Sequence, residues 1–243
     1  MAQHIEAVDG ESAPQKQSRG WIVFLRDLLI ILLAALVVSF LIKTFLIRSF
    51  YIPSASMEDT LQIDDRIIVN QLTPALWPLE RGDVVVFEDP GGWLPASSAP
   101  AEQGFPDVVG GILEFVGLAS PDTNDHLIKR VIGLPGDTVA CCDEFGRITV
   151  NGVALDETYT KLPAGATDAS KDEFEVTVPD DALWVMGDNR YNSQDSRYNR
   201  DKPGEGFVPM EDAVGRAIVI SWPFDRWSWL DNHSETFVGI PEQ

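Results

Sequence analysis

The stretch Leu28-Leu-Ile-Ile-Leu-Leu-Ala-Ala-Leu-Val-Val-Ser-Phe-Leu-Ile42 divides this 243-residue chain into two kinds of polypeptide. It carries no charge and no polar face, so it reads as a helix surrounded by lipid rather than as one face of a soluble core. As a helix the run spans about 22 Å, short of a hydrocarbon core of about 30 Å. The flanks supply the rest. Apolar residues extend from Trp21 to Ile47, and Arg26 and Lys43 can snorkel to the two interfaces. A cleaved leader would end in small residues forming an Ala-x-Ala-like site. The run gives way instead to Lys43-Thr-Phe-Leu-Ile-Arg-Ser-Phe-Tyr51, bulky throughout. The reading is therefore a retained transmembrane anchor over 21–48, preceded by a polar, disordered tail over 1–20. Basic residues flank both ends, so charge gives little preference for an orientation.

Beyond residue 49 the period changes. Short alternating or β-branched runs appear: Arg66-Ile-Ile-Val-Asn70, Asp83-Val-Val-Val-Phe87, Leu127-Ile-Lys-Arg-Val-Ile132, Arg147-Ile-Thr-Val150, Phe174-Glu-Val-Thr-Val178, Ala182-Leu-Trp-Val-Met186 and Ala217-Ile-Val-Ile-Ser221. Gly, Pro, Asp and Asn separate them, which predicts a mostly-β domain over 49–243. Asn151-Gly152 is a hairpin-turn signal between two such runs. Residues 88–125 interrupt the series with Gly91-Gly92, several prolines and an apolar stretch around Val108–Leu118. They read as an inserted loop with one short helix or strand. Residues 160–173 read as a second exposed loop.

The formal net charge of -20 is carried by the domain. Residues 1–48 hold five basic and four acidic residues, leaving 13 basic and 34 acidic beyond them. Such a surface is repelled by phosphate backbones, which excludes nucleic-acid binding. The two cysteines, Cys141 and Cys142, are adjacent and offer no zinc-binding spacing. Neighbouring Cα atoms stand about 3.8 Å apart, below the usual disulfide range of about 4.4–6.8 Å. Two structural thiols, a strained redox pair and one reactive thiol are all compatible with this. No metal site and no cofactor is expected.

The common catalytic templates fail. HExxH, GxSxG, a Walker loop, GxGxxG and SxxK are all absent. Of three histidines, His4 lies in the tail and His233 near the C-terminus, leaving only His126 as a candidate base, in a polar loop. A serine with a lysine is the pairing still open. A lysine amine can take a serine proton only when neutral, so its pKa must fall by several units, which burial among apolar groups can achieve. Lys129 has apolar neighbours on both sides along a predicted strand. Because side chains alternate, Lys129 and Arg130 face opposite ways and one can point inward.

Four strings in order carry more than any of these features alone. They are Tyr51-Ile-Pro-Ser-Ala-Ser-Met-Glu-Asp-Thr-Leu61, Arg81-Gly-Asp-Val-Val-Val-Phe87, Lys129-Arg-Val-Ile-Gly-Leu-Pro-Gly-Asp137 and Gly187-Asp-Asn-Arg-Tyr-Asn-Ser-Gln-Asp-Ser-Arg197. Coming after a membrane span, they resemble the sequence boxes of type I signal peptidases, the Ser-Lys serine endopeptidases that remove signal peptides from exported preproteins. The resemblance covers the anchor and most of the domain from 49 to 222. It implies a transmembrane helix followed by a mostly-β, signal-peptidase-like catalytic domain, with a small β cap over about 138–182. It places the nucleophile at Ser56 and the general base at Lys129, with the oxyanion hole formed by Ser54 and the Ser56 backbone N–H. It makes Ser193 the serine that orients the lysine, and Asp195 with Arg197 a supporting ion pair. Phe50, Ile52, Met57, Leu61, Ile128 and Met186 become candidates for substrate pockets, which admit small residues at −1 and −3; each is equally suited to plain core packing. The substrate would lie extended against segments 50–54 and 127–129.

The same resemblance implies a single-pass plasma-membrane protein acting as a monomer, with a cytoplasmic N-terminus and an extracytoplasmic domain. Its partners would be signal peptides and the lipid bilayer. The first box departs from the family's Met-x-Pro-Thr by reading Met57-Glu-Asp-Thr60, which removes a proline's fixed φ. The Glu-Asp variant and the Cys-Cys-Asp string look like signal peptidases of actinobacterial type. The aromatic string Ser221-Trp-Pro-Phe-Asp-Arg-Trp-Ser-Trp-Leu230 suits either a bilayer interface or a core closing on the C-terminal segment. Three rivals remain. A Ser-Lys self-processing repressor would be soluble and bind DNA. A non-catalytic tethered β domain would have no use for the boxes. A sortase-type transpeptidase would need a cysteine with a histidine and an arginine.

Overall fold

In a computed structural model of the chain, residues 17–94 and 125–241 are described, and they form two units, Met1–Ile42 and Lys43–Gln243. Helix α1 runs Gln17–Phe45. Its stretch Gly20–Ile42 has a mean hydropathy of 2.6 and none of its most apolar window is buried, so it is long and apolar enough to cross a membrane. The helix begins a few residues before the expected anchor. It also ends earlier, because Ile47–Tyr51 is a strand, β1. The tail to residue 16 and the apolar stretch Val108–Leu118 lie outside the described residues.

The second unit is built of antiparallel strands. The main sheet contains β1, β2 (Arg66–Asn70), β3 (Val84–Glu88), β4 (His126–Gly133), β9 (Ala182–Met186), β10 (Val208–Pro209), β11 (Ala213–Trp222) and β12 (Ser228–Trp229). Its order is β1-β2-β11-β3-β4-β9-β10, with β12 on β11. A four-stranded sheet, β7-β6-β5-β8, forms the cap from β5 (Thr138–Cys141), β6 (Ile148–Val150), β7 (Val153–Ala154) and β8 (Phe174–Thr177). Asn151 and Gly152 make the β6–β7 turn with φ of 52° and 80°, as their sequence predicts. Cys141 and Cys142 are bonded to each other at the end of β5, so they are not free thiols in this structure.

Strand alternation divides the core. Val84, Val86 and Ile128 pack with Phe50, Ile52, Met57, Leu61, Ile67 and Val69 on one face. Val85, Phe87, Leu127 and Val131 pack with Trp93, Leu183 and Val185 on the other. Ile132 and Met186 instead join Val139, Ile148, Phe174 and Trp184 in the core beneath the cap. Phe237 and Ile240 near the C-terminus join this last core, but the aromatics of 222–229 take no part. Trp222, Phe224, Trp227 and Trp229 are 48, 76, 54 and 68 % exposed, which removes the core-closing reading of that segment.

Candidate active site

The loop that carries Ser56 is set by hydrogen bonds that leave little freedom. Ile52 and its neighbours are tied across the loop by Ile52 N–H to Asp65 O (2.9 Å) and Asp64 N–H to Ile52 O (3.0 Å). Ala55–Met57 then make one 3-10 turn, with Ser54 extended before it. Met57 and Leu61 are wholly buried and Leu61 N–H donates to Met57 O at 2.7 Å, so the turn is pinned in the core. A second segment holds it from the other side. Asn189 N–H donates to Ser56 O (3.1 Å), and Asn189 Nδ2 donates to Ala55 O (3.1 Å). Gly187 permits this approach: a Cβ there would meet Ser193 Oγ at 2.3 Å and Ser56 O at 2.5 Å.

Lys129 lies on β4 opposite Val85, on the side of Leu127 and Val131. It is 3 % exposed, and its Nζ stands 2.8 Å from Ser56 Oγ and donates to Ile128 O, also at 2.8 Å. Burial pushes its pKa down from 10.5 to about 8, despite the opposing pull of Asp195 and Asp188; Arg197 adds to the lowering. An amine in this state is neutral often enough near pH 8 to accept a hydroxyl proton. Ser54 Oγ lies 3.4 Å from Ser56 Oγ. Ser54, Ser56, Lys129 and Ser193 all line one cavity of about 400 Å³.

The supporting residues divide. Asp195 and Arg197 form the expected pair, at 2.7 and 2.9 Å, with both side chains fully buried. Asp195 also accepts from Gly187 N–H (2.9 Å) and caps the 3-10 turn Ser196–Tyr198 by accepting from Arg197 N–H. Burial alone would raise the Asp195 pKa, but the Arg197 guanidinium more than offsets it and holds the carboxyl below its usual range. Ser193 is beside the dyad but its Oγ makes no hydrogen bond to Lys129, so the expected orienting contact is absent from this arrangement. The six pocket candidates lie in the core, the packing role they were equally suited to. Phe50, Ile52, Met57, Leu61, Ile128 and Met186 are all buried to within 8 % and pack into the two cores, and none lines the cavity. His126 rests its ring 5.3 Å from Phe50, and neither ring nitrogen has a hydrogen-bond partner among the described residues, Lys129 and Ser56 included.

Sequence reasoning missed a buried charge network behind the site. Arg130, facing away from Lys129, is bidentate to Asp188 (2.9 and 2.7 Å) and donates to Gly82 O (2.6 Å). Thr60 Oγ1 donates to the same carboxylate at 2.5 Å. Arg190 is fully buried and pairs with Glu157, while the Arg130 guanidinium sits 4.2 Å from the centre of the Tyr159 ring. The alternation of Lys129 and Arg130 was a usable signal that one of them points inward. In fact both are buried, on opposite faces.

The missing proline is explained by the backbone. Asp59, at the position of the family's proline, has φ of 87°. A proline ring holds φ near −65°, whereas Asp tolerates the left-handed region. Lys161 from the loop before the cap's last strand reaches Glu58 (3.2 Å) and Asp59 (3.7 Å), a half-exposed cluster worth less than about 1 kcal/mol. Restoring the family residue is therefore expected to harm this chain. Asp59→Pro should lower kcat/KM on the order of 10²-fold by displacing Ser56, whereas Asp59→Gly should stay within a few fold of wild type. Equal activity of the proline and glycine variants would refute this account of the loop.

Comparison with known proteins bears on the chain as a whole. A family model described as "Signal peptidase, peptidase S26" matches residues 25–222. The probable signal peptidase I of Mycobacterium leprae (strain TN) is 37 % identical over 246 residues, covering 91 % of this chain and 83 % of the relative. Signal peptidase I of Mycobacterium tuberculosis (strain ATCC 25618 / H37Rv) is 38 % identical over 234 residues, 89 % of this chain and 77 % of the relative. Signal peptidase I of Bacillus amyloliquefaciens is 30 % identical over 206 residues, 82 % and 86 % of the two chains.

Proposed function

This chain belongs to the signal peptidase family, peptidase S26, and we propose that its Ser56–Lys129 pair is the dyad with which it cuts exported preproteins. It is a membrane-anchored serine peptidase that removes signal peptides. The observation that carries the dyad is the 2.8 Å approach of Lys129 Nζ to Ser56 Oγ inside a buried site that lowers the amine's pKa to about 8.

The neutral Lys129 amine takes the Ser56 hydroxyl proton as Oγ attacks the scissile carbonyl carbon. The tetrahedral oxygen receives donors from the Ser56 N–H and the Ser54 hydroxyl, fixed in place by the 3-10 turn. Collapse breaks the C–N bond, and the lysinium returns its proton to the departing amine of the mature protein. The acyl group on Ser56 is then hydrolysed by a water that Lys129 deprotonates in turn. Asp195 and Arg197 hold the 187–197 segment against the dyad. Ser193 lines the same cavity beside Lys129, the place from which it would orient the amine.

The substrate fits as an added strand. β1 is the end strand of the main sheet, and β4 pairs with β9 only from Arg130 onward, so Leu127–Lys129 has one edge without a strand partner among the described residues. An extended peptide between these edges gains backbone hydrogen bonds. Because the substrates are exported proteins, the domain lies on the extracytoplasmic face of the plasma membrane and the N-terminus in the cytoplasm, with the exposed Trp222–Trp229 aromatics suited to the bilayer surface. The enzyme acts as a monomer. The test is incubation of the full-length protein in detergent with a preprotein bearing an Ala-x-Ala site, with the product's new N-terminus sequenced. Cleavage directly after the second Ala supports the reading, and an intact preprotein on several such substrates contradicts it.

A further inference from the structure

The cavity that holds the dyad has a second wall, from the segment after β3. Asp89 accepts N–H donors from Gly91 (3.0 Å), Trp93 (2.9 Å) and Leu94 (3.1 Å), which folds residues 89–94 into a fixed bend. Burial alone would raise the Asp89 pKa, but these backbone donors outweigh it and hold the carboxyl below its usual range. The bend places the Trp93 indole edge-on to Phe87, ring centres 5.8 Å apart, within the same core as Leu127 and Val131. Leu127 and Lys129 share a face of β4, so the indole stands on the side of the sheet where the base lies, and Trp93 lines the cavity.

Packing explains the ring but not its nitrogen. Trp93 is 5 % exposed, and its Nε1–H is shielded from water without a hydrogen-bond partner among the described residues. The Tyr198 hydroxyl, which lines the same cavity, is likewise unpaired. Buried donors are nearly always satisfied, so one left open at a binding cavity marks a place for a ligand acceptor. An indole N–H can only donate. Backbone carbonyls are the acceptors that every substrate polypeptide presents, whatever its side chains. We infer that Trp93 is a substrate-binding residue whose indole N–H donates to a backbone carbonyl of the polypeptide lying across Ser56. This rests on the signal peptidase reading and adds to it a contact from the inserted segment.

The test compares full-length wild type and Trp93→Phe in detergent on an Ala-x-Ala peptide. Phenylalanine keeps the ring against Phe87 and removes only the N–H. The expected result is a fall in kcat/KM of about tenfold, borne by KM, with a melting temperature equal to or above wild type because an unpaired buried donor is gone. A second readout needs no activity. In the Ser56→Ala protein, the Trp93 indole N–H proton should move downfield when the peptide is added. Cleavage by wild type, with the variant within twofold of it and the indole resonance unmoved, overturns this inference alone. A wild type that cleaves no such peptide overturns the peptidase reading, and this inference with it.

Discussion

Below pH 8, cleavage by the full-length protein is expected to fall about tenfold for each pH unit, and Lys129→Met is expected to remove it, by at least about 10³-fold. The sign comes from the base. Only neutral Lys129 can accept the Ser56 proton, and its pKa is held down near 8 by burial. Activity therefore rises through that value and levels off above it. A rise centred below 6.5 would instead point to a histidine such as His126, whose pKa burial and the nearby Arg48 push down. Stability carries a second signature. The amine titrates at about 8 when folded and 10.5 when unfolded, so between these values the unfolded chain binds more protons and stability rises with pH. Below pH 8 both states are protonated and the full burial penalty, about 3 kcal/mol, stands. Lys129→Met should thus be inactive yet more stable than wild type at pH 7, and lose the rise in stability between pH 8 and 10.5. An inactive variant that is also less stable would mean that the lysine is there to hold the fold.

Asp188→Ala should be strongly destabilising. It leaves Arg130 buried at 0 % exposure without its bidentate partner, and breaking such a pair costs about 3–5 kcal/mol. For a chain of this size that lowers the melting temperature by roughly 10 °C. Activity should fall as well, because Asn189, next in sequence, clamps the backbone of Ala55 and Ser56. The double change Arg130→Met with Asp188→Leu should be milder than Asp188→Ala, since no buried charge is stranded. Thermal unfolding of the full-length wild type and both variants measures these shifts. A shift under about 2 °C for Asp188→Ala would show that this network carries little.

Much of this was legible from local pattern. Arg66–Asn70 and Ala182–Met186 are strands with the boundaries that their runs suggested, and Asn151-Gly152 makes its turn. The Ser56–Lys129 pairing came from the order of four motifs, since nothing local to a lysine on a strand distinguishes a base from a solvent-facing side chain. The features that escaped were non-local. β1 reads as the end of the anchor because Ile47 and Phe50 continue its apolar run, and only pairing with β2 reveals a strand. Arg130, Arg190 and Glu157 look like surface charges until distant segments bury them together. The pocket candidates were ambiguous for the opposite reason: apolar residues beside a serine serve the core and a substrate equally well, and all six are buried in the core. Trp93 sat in an insertion without periodicity, and its place depends on the carboxylate of Asp89.

The central claim is that Ser56, activated by Lys129, is the nucleophile for signal-peptide removal. The most direct measurement sets full-length wild type beside Ser56→Ala in detergent, on one Ala-x-Ala preprotein, with folding of both checked by thermal unfolding. The account predicts a single cut after the second Ala by wild type and none by an equally stable Ser56→Ala. Cleavage at the same bond by the alanine variant would contradict it and move the nucleophile elsewhere.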